Sequence, residues 1–273
     1  MSAIKETIKK VVPAPMWHAA GETWDAAGRA AMWPEARWHP WRKQSIEQIK
    51  TLKNSHKGQR CFIIGNGPSL RDTDLSKLHN EFTIGMNRIY LMFAELGFKT
   101  SYYVCMNDLV IEQCAADIQK LDMPRFVSWR GRKWLHAEKG LFFLHSTYTG
   151  PKFGGDDITG RLWEGATVTY VALQTAFYLG FEQVILIGVD HNFTTQGKPN
   201  ATVVSQGDDP NHFSPAYFGK GFRWQLPDLD TSEKGYAMAR DAYSTAGREV
   251  VDATVGGKLR IFPRVDYKTL FPL

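Results

Sequence analysis

Short, uninterrupted apolar runs recur through most of this chain. The first is Cys-Phe-Ile-Ile at residues 61–64. Comparable runs stand at 82–85, 102–105, 125–129, 141–144, 184–188, 249–251 and 259–262. Runs this short, bounded by Gly, Asn or Pro, mark strands buried on both faces of a parallel sheet. Between them lie helical rhythms. Val168, Val171, Ala172, Thr175, Ala176 and Leu179 recur at i, i+3, i+4 and i+7. Tyr170, Leu173 and Phe177 add apolar side chains on other faces, so a well-buried helix is expected over 168–179, with Gly180 ending it in a left-handed turn. Strands alternating with helices predict an α/β fold: a doubly wound, mostly parallel, Rossmann-like sheet.

Two stretches depart from this pattern. Residues 1–58 hold five of the nine tryptophans, Trp17, Trp24, Trp33, Trp38 and Trp41, interleaved with Lys9, Lys10, Arg29, Arg37, Arg42 and Lys43. They are expected to form a basic, helical, Trp-rich N-terminal extension, with a polar helix over 44–57 leading into a catalytic domain of residues 59–273. Indole and basic side chains suit a membrane interface; they equally suit contact with the body or with a second copy of the chain. Residues 196–236 are rich in Gly, Pro, Asp and Asn and show little periodicity. Phe213, Tyr217, Phe218, Phe222 and Trp224 argue for an ordered, lid-like loop over a substrate.

Charge sharpens the first of these readings. The net charge is +5, yet residues 1–60 alone carry 11 Lys and Arg against 5 Asp and Glu. The body is therefore close to neutral, which argues against a nucleic-acid cleft. No apolar stretch approaches the ~18 residues of a membrane-spanning helix. Residues 1–13 lack a secretory apolar region. The three cysteines, Cys61, Cys105 and Cys114, have no C-x-x-C spacing. A reducing, cytoplasmic setting is expected, at the inner face of the cell membrane if the N-terminal unit binds lipid.

In an open parallel sheet, ligands bind beyond the carboxyl ends of the strands. Asparagine recurs there: Asn66, Asn87, Asn107 and Asn192 each follow an apolar run. An amide offers both a donor and an acceptor, as a base edge or ribose requires. Gly65-Asn66-Gly67-Pro68-Ser69-Leu70 forms a turn whose backbone N–H groups are expected to approach a phosphate or sugar. It is no dinucleotide fingerprint, because Leu70 stands where a third Gly would, and no Walker A Lys follows. His191, beside Asp190, and His212 are candidate bases for removing a proton from an acceptor hydroxyl. Asp190 is alternatively a carboxylate capping the neighbouring loop. The eight histidines show no metal-binding spacing, and Asp156-Asp157 and Asp208-Asp209 read as solvated loop charge rather than as Mg²⁺ ligands.

The turn at 65–70, with Gly180-Phe-Glu-Gln-Val-Ile-Leu-Ile-Gly-Val-Asp190, resembles the opening motif and central G-[IV]-D turn of bacterial sialyltransferases that use CMP-sialic acid. The same features, and the closing Asp252-Ala-Thr-Val-Gly-Gly-Lys-Leu-Arg-Ile-Phe-Pro263, are similar to the 6-hydroxymethylpterin diphosphokinase-like family, whose bacterial members often accompany surface-polysaccharide enzymes. The resemblance spans about residues 60–270. It implies that Asn66, Asn87 and Asn107 face the nucleotide, with Gly65, Gly67 and Ser69 shaping the turn and Thr167 at a helix start. Val168 replaces the serine beside that threonine in the sialyltransferases. His191-Asn192-Phe193 replaces their tyrosine, and His212 approximates their catalytic histidine. The leading expectation is a glycosyltransferase moving a sugar, a nonulosonic acid being one candidate, from a CMP-type donor to a glycan or lipid-linked acceptor without an obligatory metal. The alternatives are a diphosphokinase using Mg²⁺ and ATP on a pterin-like alcohol, and a non-catalytic nucleotide-binding protein.

Overall fold

The computed structural model describes residues 14–195 and 197–271; the side chains of residues 14–22, 24 and 25 are outside the description, so the expectations for Trp17, Trp24, Lys9 and Lys10 lie outside it too. Eight strands form one sheet in the order β10-β7-β1-β2-β3-β4-β5-β6. They are β1 (Arg60–Ile64), β2 (Phe82–Met86), β3 (Tyr102–Cys105), β4 (Arg125–Ser128), β5 (Leu141–Thr147), β6 (Arg161–Trp163), β7 (Gln183–Ile187) and β10 (Glu249–Asp252). Every pairing in this sheet is parallel. The chain runs outward from β1 to β6, then returns to the other side of β1 with β7. That reversal puts the topological switch between β1 and β7, where such sheets open a crevice.

The doubly wound arrangement follows from the apolar runs. Along β1, Cys61 and Ile63 enter one core while Phe62 and Ile64 enter the other, and all four are fully buried. The first core is closed by α5 (Val168–Leu179) and α6 (Leu229–Thr245). The second is closed by α4 (Asp108–Lys120) and by aromatic side chains of residues 213–224. Helix α5 occupies the span that the periodicity predicts. Thr167 caps its start, Gly180 ends it at φ 96°, and Thr169 through Leu179 are all buried. A one-turn helix, α3 (Phe93–Leu96), lies between β2 and β3.

The described part of the N-terminal unit consists of two helices followed by turns. Helix α2 (Pro40–Lys50) buries Arg42, Ser45, Ile46 and Ile49. That is a complete i, i+3, i+4, i+7 stripe, masked in the sequence because two of its members are polar. Ser45 Oγ accepts from the N–H of Phe143, 3.0 Å away, on the part of β5 that β6 leaves unpaired. Trp41 stacks on Phe143 with centroids 6.1 Å apart. The expected polar helix over 44–57 is thus an amphipathic helix ending at Lys50, followed by turns to residue 58. Helix α1 (Ala14–Trp38) buries Ala36 in the second core and is tied to the body by polar contacts. Its Glu35 pairs with Arg132, and Arg29 donates to Thr149 Oγ1 at 2.6 Å. Trp33 and Trp38 meet edge to face and are 48% and 56% exposed.

Three further differences share one cause: segments of three or four residues carry too little pattern to read. β6 was not expected. The run at 259–262 makes no strand; Leu259 and Phe262 plug the core, and only Arg264 bridges to Asp252. The expected loop 196–236 holds an antiparallel hairpin, β8 (Thr202–Val204) with β9 (Arg223–Gln225), and the start of α6. Among the described residues no helix is long and apolar enough to cross a membrane.

Candidate functional site

A cavity of about 550 Å³ opens at the carboxyl ends of the strands. Register explains which residues share its rim. Ile64 pairs with both Ile187 and Gly85, and Met86 pairs with Val104. The residues just beyond these pairs, Gly65 to Gly67, Asn87, Asn107 and Gly188 to Asn192, therefore come to one edge and line the cavity. Phe193, Asn200, Asn211, His212, Phe218, Trp224 to Leu229 and the start of α5 close its other sides.

The β1 and β7 turns are locked together. Gly65 N–H donates to Ile187 O at 2.7 Å, and Gly67 N–H to Gly188 O at 2.9 Å. A Cβ on Gly65 would lie 2.1 Å from Gly188 O. These glycines serve the approach of one turn to the other, so the expectation that their N–H groups face an anion is corrected. Asp190 takes two hydrogen bonds from Ser69, from N–H at 3.1 Å and from Oγ at 2.7 Å. Burial raises its pKa, and the Ser69 hydrogen bonds pull in the opposite direction. Of the two roles weighed for Asp190, this is the loop cap. Pro68 starts a short 3-10 helix, Pro68–Asp72, rather than a long α-helix.

The four asparagines share the rim but differ in duty. Asn66 donates from Nδ2 to Met86 O at 3.2 Å, while its Oδ1 is buried without a partner. Asn87 sits at φ 50° and its Oδ1 accepts from Cys105 Sγ. Asn107 caps α4, its Oδ1 accepting from Leu109 and Val110 N–H, and its Nδ2 donates to Gln225 Oε1. Asn192 lines the cavity. Thr167 caps α5 and its hydroxyl meets Tyr236 OH at 3.3 Å. The preceding Gly165 and Ala166 are both left-handed, at φ 57° and 55°.

The two histidines are held differently. His191 Nε2 lies 2.9 Å from Glu233 Oε1. His212 Nδ1 lies 2.7 Å from Asp209 Oδ2, and its ring stacks on Tyr217 with centroids 4.0 Å apart. A carboxylate only accepts, so in the neutral ring Nδ1 carries the proton and Nε2 the lone pair. Asp209 is buried and also accepts from Asn211 and Phe218 N–H. It is not solvated loop charge, as the sequence suggested; Asp208, Asp156 and Asp157 are exposed. His212 reaches the rim because the lid is tied down. Phe213 N–H donates to Asn66 O at 2.9 Å, Arg88 donates to the carbonyls of Ala216 and Tyr217, and Gln113 bonds both backbone groups of Arg223.

Sequence reasoning missed a second polar cluster. Arg130 at the end of β4 donates to Asp108, Glu164, Tyr148 OH and Ser146. Burial raises the pKa of Glu164, against the opposing pull of Arg130 and Ser146. Burial alone would lower that of Arg130, but Glu164, Tyr148 and Asp108 outweigh it and keep the guanidinium charged. No motif announces the cluster; only the parallel order of β3 to β6 brings its members together. Among the described residues no group of three or more His, Cys, Asp or Glu side chains is placed to hold a metal ion.

Residues 41–196, more than half of the chain, match the family described as 6-hydroxymethylpterin diphosphokinase MptE-like. The chain belongs to this family. The MptE-like match takes in α2 and every strand from β1 to β7, with Asn66, Asn87, Asn107, Thr167, Asp190 and His191. It stops before Asp209 and His212. No curated protein matches the chain. Among solved structures, the MAf glycosyltransferase from Magnetospirillum magneticum AMB-1 is similar at 13% sequence identity and a TM-score of 0.50. The likeness covers 84% of this chain and 39% of that one. This MptE-like chain thus shares its α/β fold with a glycosyltransferase structure, and spans well under half of that protein's length.

Proposed function

We propose that the chain is a glycosyltransferase that moves a sugar, a nonulosonic acid being the candidate, from a CMP-type donor to a hydroxyl of a glycan or lipid-linked acceptor. The observation that carries this reading is the Asp209–His212 pair at a cavity whose described lining contains no Lys or Arg. Asp209 orients the ring and stabilises its protonated form, and Nε2 takes the proton of the acceptor hydroxyl. The acceptor oxygen bonds to the anomeric carbon as the glycosyl–phosphate bond breaks, and CMP leaves with that electron pair. Asn66, with its unpartnered Oδ1, Asn87 and Asn107 hold the nucleotide. The N-terminus of α5, with the hydroxyls of Thr167 and Thr169, faces its phosphate. Such neutral donors suit one phosphate group better than the triphosphate of ATP.

Thermal-shift measurements with CMP, CDP, UDP, GDP and ATP, each with Mg²⁺ or EDTA, test the reading. Stabilisation by CMP that survives EDTA is expected. Stabilisation by Mg-ATP alone would sink it in favour of a diphosphokinase, and binding without turnover would leave a nucleotide-binding protein.

The acceptor is proposed to lie at the inner face of a membrane, reached through α1. Met32, Trp33 and Trp38 are exposed on that helix beside Arg37. Full-length protein is expected to float with anionic liposomes and a Trp33→Ala, Trp38→Ala double variant to stay behind; equal flotation refutes this.

A further inference from the structure

The cavity is longer than one nucleotide needs. Its Asn66 end lies beyond β1, whereas its Tyr148 end lies beyond β5, four strands away in the sheet, or about 19 Å at ~4.8 Å per strand. A nucleoside monophosphate held by Asn66 and Asn87 leaves the far end to a second molecule.

Three features describe what that end accepts. Tyr148 is 59% exposed, unusual for a ring so firmly held. Arg130 pins its hydroxyl at 2.9 Å and covers the ring at 4.3 Å from its centroid, so the rest of the ring is rigid and open. Glu164 puts a buried carboxylate on the cavity wall beside it, tethered by Arg130 at 2.7 Å. The chain turns Glu164 inward through the left-handed pair Gly165 and Ala166. Left-handed backbone at a non-glycine residue is sparsely populated and concentrates at ligand sites. Charge settles the ligand class. Arg130 spends its donors on Asp108, Glu164, Ser146 and Tyr148. Arg29 and Arg161 spend donors on Thr147, Thr149 and Gly150 outside the cavity lining. The described lining itself meets a phosphate or an acidic sugar with a carboxylate and no Lys or Arg.

We infer that Tyr148 and Glu164 form a subsite for an uncharged sugar, the acceptor of the transfer. The sugar's C–H face packs on the open part of the Tyr148 ring, and its hydroxyls donate to Glu164. The term acceptor rests on the transferase reading; carbohydrate binding by this ring and carboxylate does not. Thr149, next in the chain, takes the hydrogen bond from Arg29 of α1. The subsite therefore opens beside the helix that carries the exposed tryptophans, where a sugar on a larger carrier can enter.

The test applies full-length protein to a printed array of neutral and acidic glycans in the presence of CMP, with CMP thermal shifts run in parallel. Wild type is expected to retain a subset of neutral glycans. Tyr148→Ala and Glu164→Gln are expected to lose that signal at least tenfold while keeping the wild-type CMP shift. Tyr148→Ala trims an exposed ring, so it decides the question even if Glu164→Gln does not fold. The inference is overturned if wild type retains no glycan or only acidic ones, or if Tyr148→Ala retains glycans at the wild-type level. It is equally overturned if that variant loses its CMP shift, because the ring would then be a base platform. Glycan retention without any CMP shift in wild type would remove the donor assignment and leave the sugar subsite standing.

Discussion

A Cβ placed on Gly67 would lie 1.8 Å from Oδ2 of Asp190. The β1 turn and the β7 turn meet so closely that only a hydrogen fits, and Ser69 then closes the contact with two hydrogen bonds to the same carboxylate. Gly67→Ala must push the turns apart, and forced overpacking of this kind costs about 1–3 kcal/mol. The urea midpoint of unfolding is expected to fall accordingly. An unchanged midpoint would show that the two turns are not locked.

Much of this frame is legible in the sequence, because buried parallel strands need apolar runs and the α5 stripe needs its 3.6-residue period. The rim asparagines are legible too, since each stands within a few residues of the end of such a run. Asp209 was not legible: a buried carboxylate and a solvated one look alike in a Gly- and Pro-rich loop. Arg42 and Ser45 hid α2 by putting polar groups on its inward face. The cluster around Arg130 draws on residues 108, 130, 146, 148 and 164, which no local pattern links.

Arg88 holds the lid from below. It donates to the carbonyls of Ala216 and Tyr217 and lies against the rings of Tyr217 and Phe222. Hydrogen bonds from a charged donor contribute about 1.5–3 kcal/mol. Arg88→Ala is therefore expected to raise local opening of residues 205–222 about tenfold or more, read by amide hydrogen exchange. Exchange in β1 and β7 should change far less. Equal acceleration across both regions would mean global destabilisation instead.

His145 makes stability depend on pH. Its ring is buried, Nε2 has no partner, and burial together with Arg42, Arg161 and Arg130 pushes its pKa from 6.5 down to about 4. The unfolded chain therefore takes up a proton near pH 6.5 that the folded chain refuses until about pH 4. Stability from this group is fully present above pH 6.5, falls as the pH drops through that window and levels off below it. Urea midpoints measured from pH 7.5 to 4 should fall less steeply in His145→Phe than in wild type. Parallel curves would rule the group out.

The Asp209–His212 pair makes the sharpest claim about chemistry. Asp209 is buried and its carboxylate is fixed by three partners: the His212 ring and the N–H groups of Asn211 and Phe218. Its geometry therefore sets that of the ring. A positioned base contributes about 10²–10⁴ to rate, so His212→Ala should lower turnover of a CMP-sugar by that order with little change in the CMP shift. Asp209→Asn keeps the shape of the side chain, but its amide can turn NH₂ toward Nδ1 and leave the proton on Nε2. It is expected to lose a large part of the same factor. His191→Ala, whose ring is tied to Glu233, should leave turnover within a few-fold of wild type. If the His191 variant were instead the dead one and His212→Ala kept full turnover, the base would sit on the β7 turn and the lid pair would be structural.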